Sequence, residues 1–180
     1  KAGEHLAQID PAGVDERSNP VLLAQLKFRQ KEYEDAADVC NRALAAGVAD
    51  PMLRRLLADI AIQKKEPTQA QSHLLAWVRL QPDNPLAYQQ LAQFYIQQKM
   101  FDKGLTEMAS FTEQNEPLSR LGQAMLLAAQ DKYPQAIAVL APIYHKLVEA
   151  HRRMAMTVAD SLAAIHLARK DPASAISIYQ

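Results

Sequence analysis

The sequence predicts an all-α solenoid of antiparallel helix–turn–helix hairpins, each stacked on the next, and three observations carry that prediction. Small residues recur 34 positions apart at Ala2, Ala36, Ala70 and Gly104, and Ala136 and Ala175 continue the series at spacings of 32 and 39. A second small series runs Ala24, Ala58 and Ala92, then Ala124 and Ala163. Lys31, Lys65 and Lys99 keep the same period, with Lys132 and Lys170 close to register, and mark the chain reversals. Three features sharing one period identify an internal repeat, a unit that buries its apolar face only against its neighbours.

The composition agrees. The 180 residues are 49% hydrophobic and 22% charged, enough apolar material for a sizeable core. Ala, Leu, Gln, Lys and Glu are abundant and β-branched runs are absent, which favours helices over strands. Twenty basic residues balance 20 acidic ones, so the chain carries no electrostatic footprint for nucleic acid or an anionic membrane. One cysteine excludes an intrachain disulfide and every multi-cysteine metal site. No apolar run approaches the roughly 18 residues needed to cross a bilayer, so insertion of this chain into a membrane is not expected. The chain starts at Lys1 and is read as a piece of a longer protein, which leaves the compartment open between cytoplasm and bacterial periplasm.

The hairpins follow in order. Residues 1–16 are expected to be the second helix of a preceding hairpin, with Ala2 and Leu6 in register. Residues 17–50 carry Leu23 and Ala24, then Tyr33, Ala36, Ala43 and Leu44. Residues 51–84 carry Leu57 and Ala58, then Ala70 and Leu74, and close on Pro82-Asp83-Asn84-Pro85. In residues 85–116, Leu86, Leu91, Phe94 and Tyr95 over Pro85–Met100 are spaced for a helix buried on one side. Met100-Phe101-Asp102 turns the chain, and Asp102–Asn115 places Leu105, Met108 and Phe111 at helical spacing. Residues 117–150 supply Ala124, Tyr133, Ala136 and Leu140, and residues 151–180 a truncated unit with Leu162, Ala163, Ala175 and Tyr179. Together these make a single solenoid over residues 1–180. Pro51, Pro85 and Pro117 open first helices, and Pro67, Pro134 and Pro172 open second helices, where a missing N–H is harmless. The lysines that close the first helices set a cation at the negative end of the macrodipole.

The residues of the third unit, Tyr88, Leu91, Ala92 and Tyr95, then Phe101, Gly104, Met108 and Pro117, resemble the tetratricopeptide repeat. The other units match it less fully, and the resemblance covers nearly the whole chain. It implies a right-handed superhelical solenoid in which the paired small residues let helices cross closely. Cys40, Leu74, Met108, Leu140 and Tyr179 then fill the space between hairpins. Trp77, Phe111 and Ile143 stand where the family usually has alanine, which should widen the spacing of the hairpins. Pro142 lies inside a second helix and should kink it. No turn signal separates Ile143 from Lys170; Val148–Arg152 is the expected turn.

Catalytic templates are missing: there is no G-x-S-x-G, H-E-x-x-H, C-x-x-C or P-loop motif. His145 and Glu149 at i and i+4 lack two further ligands, so no metal and no cofactor is expected. Cys40 and His166 fall at packing positions, and Arg152-Arg153 reads as a solvated helix face. The chain is therefore expected not to be an enzyme.

What the resemblance implies about function lies on the concave face, lined by the first helices. The family's positions fall on Gln25 and Arg29, on Arg55 and Asp59, on Gln89, Gln90, Gln93 and Gln97, and on Met125. Glutamine amides both donate and accept, which suits an extended peptide backbone or a sugar hydroxyl. The family's carboxylate clamp for chaperone tails is missing, since its positions read Val21, Gln25, Leu56, Leu118 and Gly122. The reading is a non-catalytic scaffold that binds a partner protein or peptide in its groove. The alternative is a module of a bacterial cell-envelope machine for exopolysaccharide export or outer-membrane assembly, which the abundant Ala and Gln resemble. Nucleic acid is not an expected partner. Either self-association through the C-terminal end or weak order there is expected, since Ile176, Ile178 and Tyr179 lack a capping unit.

Overall fold

The computed structural model of the chain describes residues 19–150 and 152–179, without the side chains of residues 149 and 150. The helix expected over residues 1–16 lies outside the described residues. Ten helices, and no strand, occur among those described. Five are first helices: α1 (Pro20–Arg29), α3 (Pro51–Gln63), α5 (Pro85–Gln97), α7 (Glu116–Ala128) and α9 (Arg152–Ala168). Each is followed by a second helix: α2 (Tyr33–Ala45), α4 (Pro67–Leu80), α6 (Phe101–Ser110), α8 (Tyr133–Ala150) and α10 (Pro172–Ser177).

Local chemistry sets the ends of these helices. Asn19, Asp50, Asn84 and Asn115 cap α1, α3, α5 and α7, their side chains accepting from Leu22, Met52, Leu86 and Leu118 N–H at 2.8 to 3.1 Å. Each cap satisfies one of the N–H groups that a helix start leaves without a partner. A proline at the first or second position follows each of these caps, where its fixed φ fits and its missing N–H costs nothing. At the other end, Lys31, Lys65, Lys99 and Lys170 have φ of 64°, 59°, 56° and 63°. These residues do more than complement a dipole: they are the left-handed residues of Schellman motifs. After α3, Lys65 N–H donates to Ile62 O at 3.1 Å and Glu66 N–H to Ala61 O at 2.8 Å, and the other reversals repeat this pair. In the fourth hairpin the left-handed residue is Asp131 (φ 58°), not the expected Lys132.

Two compact units divide at Gln81 and Pro82. In the first, α1 packs on α2 and α3 on α4, with α3 also meeting α1 and α2. Ala24 and Ala36, both fully buried, share one core with Val39, Cys40, Leu53, Leu57 and Ile60. A leucine buried as completely as Leu53 stabilises the unit by about 2 kcal/mol. Trp77 is 2% exposed, its indole N–H donating to Gln81 Oε1 at 2.8 Å.

In the second unit, α7 packs against α5, α6 and α8, while α9 packs on α8 and α10. Tyr88 and Phe111 meet edge to face at 5.8 Å. The second helix of this hairpin ends at Ser110, five residues short of the expected Asn115. Its continuation would have Thr112 N–H bond Met108 O, but Ser119 Oγ donates to that carbonyl at 2.6 Å and Phe111 N–H at 3.1 Å. Ser110 and Thr112 hydroxyls also bond back to Glu107 O and Ala109 O, competing with the helical ladder. Helix α8 runs through Pro142 to Ala150. Pro142 and Ala138 are both exposed, so the carbonyl freed by the missing N–H faces water. Helix α8 continues past Val148 to Ala150 and α9 starts at Arg152; the turn expected at Val148–Arg152 falls on residue 151, outside the described residues.

Tyr179 corrects the expectation of a core position: it is 53% exposed, because α10 stops at Ser177, and its hydroxyl donates to Asp160 at 2.8 Å. Ile176 is exposed and Ile178 half-buried.

Candidate functional site

Two of the clefts on the first helices, one in each unit, gather residues singled out from the sequence. In the first unit a cleft of about 230 Å³ lies between α1 and α3. Gln25, Phe28 and Arg29 line it from α1, and Met52, Arg55, Leu56 and Asp59 from α3. Residues four apart on a helix share a face, which is why Gln25 joins Arg29 and Arg55 joins Asp59. Arg55 lies with its guanidinium carbon 5.7 Å from the centre of the Trp77 ring, a cation–π arrangement, and its Nε is 3.9 Å from Asp59 Oδ2. Burial pushes the Asp59 carboxyl above its ordinary value, and the Arg55 charge offsets this only in part.

The second unit holds a cleft of about 430 Å³ lined by three first helices and by α8. Gln89 and Ile96 come from α5, Leu121, Ala124, Met125 and Ala128 from α7, and Ser161, Ala164, Ile165 and Ala168 from α9. Alanines at the wall keep the helices close and the surface smooth. Ser161 donates its hydroxyl back to Thr157 O at 3.0 Å, so it presents little polarity to the cleft. Tyr133 and Leu140 of α8 complete the lining, so this is a largely apolar slot with the Gln89 amide and the Tyr133 phenol among its polar groups.

Of the residues singled out from the sequence, Gln25, Arg29, Arg55 and Asp59 meet in the first cleft, and Gln89 and Met125 in the second. Gln90 is half-buried and Gln93 and Gln97 are exposed on α5; they line neither cleft. Gly122, also assigned to the groove, is instead buried against α6, where an added Cβ would collide with the Met108 sulfur. Beside it, Ser119 and Gln123 are buried polar groups, joined by Gln123 Nε2 donating to Ser119 Oγ at 3.1 Å. The sequence reading missed the whole α9 wall. The signal was present, since Ala163 already marked α9 as a first helix and the same position count extends to it. It also read Trp77 as a spacer and not as the platform under Arg55.

Other chemistry is quiet. Cys40 is fully buried, and burial pushes its thiol up to about 12, far from a reactive thiolate. His166 is 13% exposed and lies 3.5 Å from Asp171. Among the described residues no group of three His, Cys, Asp or Glu could hold a metal ion. Among them, too, no helix is long and apolar enough to cross a membrane. A wider cleft of about 930 Å³ opens where α5, α7 and α9 begin, between Asp83, Glu116, Arg152 and Arg153. Its lining mixes charges of both signs with Pro85, Pro117, Leu147 and Met154.

Helical hairpins closed by left-handed reversals define a helical-repeat fold of the tetratricopeptide type. Residues 21–85 match the family model described as tetratricopeptide repeat. A tetratricopeptide repeat protein from Parabacteroides merdae shares the fold at a TM-score of 0.58 and 17% identity, over 94% of this chain and 65% of its own. YrrB, described as a TPR protein with an unusual peptide-binding site, is similar at a TM-score of 0.50 and 14% identity, over 88% and 80%. DnaJ homolog subfamily C member 3 of Gallus gallus is 32% identical over 105 residues, 58% of this chain. The matched stretch spans 21% of the length of that protein. The chain therefore has the fold of tetratricopeptide repeat proteins, and residues 21–85 match that family's model.

Proposed function

We propose that the chain is a non-catalytic scaffold whose first-helix face holds a segment of a partner protein. The observation that supports this most is the cleft over α5, α7 and α9: an open slot whose lining includes Ala124, Ala128, Ala164, Ala168 and Met125. Small side chains admit another chain's apolar anchor, and methionine adapts to varied shapes. Gln89 adds one donor and one acceptor for the backbone that follows the anchor. The description of YrrB, which shares the fold, includes a peptide-binding site, in keeping with this use of the architecture.

The test is selection of peptides from a random library on the intact chain, followed by titration against Met125→Glu. Met125 is half-buried at the cleft, so a carboxylate there would be desolvated by any apolar anchor seated on it. Selected peptides should lose at least about tenfold in affinity, with the helical content of the variant unchanged. Equal binding to parent and variant would remove this cleft from the binding surface.

A further inference from the structure

The cleft between α1 and α3 differs in chemistry from the slot in the second unit. Among its lining residues stand two arginines and one aspartate, a net positive charge over the apolar side chains of Phe28, Met52 and Leu56. The two arginines are differently disposed. Arg55 is held across the Trp77 ring and near Asp59, so its guanidinium is oriented before any ligand arrives. Arg29 is exposed in the last turn of α1 and has no acidic partner among the described residues. Its neighbours differ: Lys27 is neutralised by Glu32 and Asp35 at 3.1 and 3.0 Å, and Lys64 by Glu34 and Glu66 at 3.0 and 3.1 Å. Arg29 is thus a cation with no acidic partner among the described residues that lines the cleft, whereas Lys31, also exposed, does not line it.

We infer that this cleft is a subsite for an acidic side chain, Asp or Glu, of the bound partner segment, with an apolar neighbour of that residue resting on Phe28 and Leu56. A guanidinium presents its donors in a planar fork that matches a carboxylate, and such charge-assisted hydrogen bonds are the strong ones. The volume suits one or two side chains and not a folded element. Asp59 limits the choice further. It stays close to Arg55 and would repel a second carboxylate on that side, so the incoming acid is received chiefly by Arg29, with Arg55 completing its shell. This inference rests on the scaffold reading above, since it names what one part of the bound segment carries.

The experiment uses the intact chain, labelled for NMR at arginine Nε–H and methionine methyl groups, and three short probe peptides. One is acetyl-Leu-Glu-Leu-amide, the second has Gln for Glu, and the third is acetyl-Leu-Gln-Leu with a free C-terminal carboxylate. The inference expects saturable shifts of the Arg29 and Arg55 signals with the Glu peptide, and an affinity for it about tenfold or more above that for the Gln peptide. Arg29→Gln should abolish that preference, while Lys31→Gln, a neighbouring exposed cation outside the cleft, should leave it intact. Equal responses to the Glu and Gln peptides, or a preference that survives Arg29→Gln, would overturn it. A response only to the free carboxylate would also overturn it, by making the cleft a chain-end site. If the Met125 methyl responds to all three peptides while the arginines do not, the acidic subsite fails and the scaffold reading stands.

Discussion

Gly104→Ala tests the close approach of α5 and α6 by the sign of its effect. Gly104 is buried in the interior of α6. A Cβ added there would lie 2.8 Å from Tyr95 Cβ, 2.9 Å from Tyr95 Cγ and 3.0 Å from Leu126 Cδ2. Tyr95 Cβ is fixed to the α5 backbone and Tyr95 is fully buried, so no rotamer change relieves the contact and the helices have to separate. In an uncrowded helix interior the substitution of Gly by Ala gains about 1 kcal/mol. Overpacking of a filled core costs about 1–3 kcal/mol. The expected net result runs from no gain to a loss of about 2 kcal/mol. Urea unfolding followed by circular dichroism measures it, with an unchanged slope showing that the transition itself is the same. A variant more stable than the parent by about 1 kcal/mol would show that the helices do not meet at Gly104 as described.

Two further perturbations probe the reversals. Lys65 holds φ of 59°, and Lys65→Gly should remove left-handed strain of about 1–2 kcal/mol while adding unfolded-state entropy of about 0.5–1 kcal/mol, so thermal unfolding should show a small net gain. A clear loss would mean that the lysine side chain contributes more than its backbone costs. At the start of α10, the hydrogen bond from Ser174, with Arg169 beside it, holds the Asp171 carboxyl well below its ordinary value of 3.8. A depressed folded value makes the contribution complete above the unfolded value and lost as pH falls toward the folded one. Protection of the Ser174 amide against hydrogen exchange should therefore persist at neutral pH and decline progressively below about pH 4; protection independent of pH would contradict the cap.

The helices were legible because repetition averages over local ambiguity. Ala36, Ala70, Gly104 and Ala136 mark one packing position four times, and all are buried. Prolines next to capping residues announced the starts of α3, α5 and α7 without reference to packing. What escaped were features decided by contacts between helices. Gly122 stands at a position the repeat assigns to the groove, yet the flexible Met108 side chain from α6 occupies its surroundings. Phe111 lies beyond its helix because Ser119, eleven residues after Met108, takes the Met108 carbonyl. Lys31, Lys65 and Lys99 were visible as reversals, but a lysine carries no sign that its φ is positive, and Asp131 fell one residue from the series. In the candidate site, the i, i+4 pairs on α1 and α3 were legible from spacing alone. The α9 wall was legible by counting from Ala163 but was not drawn; between Ile143 and Lys170 no proline or glycine marks the helix start as it does for α3, α5 and α7.

The most direct test of the scaffold account compares two triple variants for binding of a peptide selected on the parent chain, by calorimetry. Arg55→Ala with Gln89→Ala and Gln93→Ala alters the first-helix face, where Arg55 and Gln89 line the two clefts. Lys103→Ala with Glu107→Ala and Gln114→Ala alters α6 and the turn that follows it, away from these two clefts, although Gln114 lines the wider cleft at the helix starts. Alanine is at least as good a helix former as the residues it replaces, so the first-helix triple should stay within about 1 kcal/mol of the parent in stability. The account expects loss of affinity for the first-helix triple alone. Equal loss in both, or loss only in the second, would contradict it and move the binding surface off the first helices.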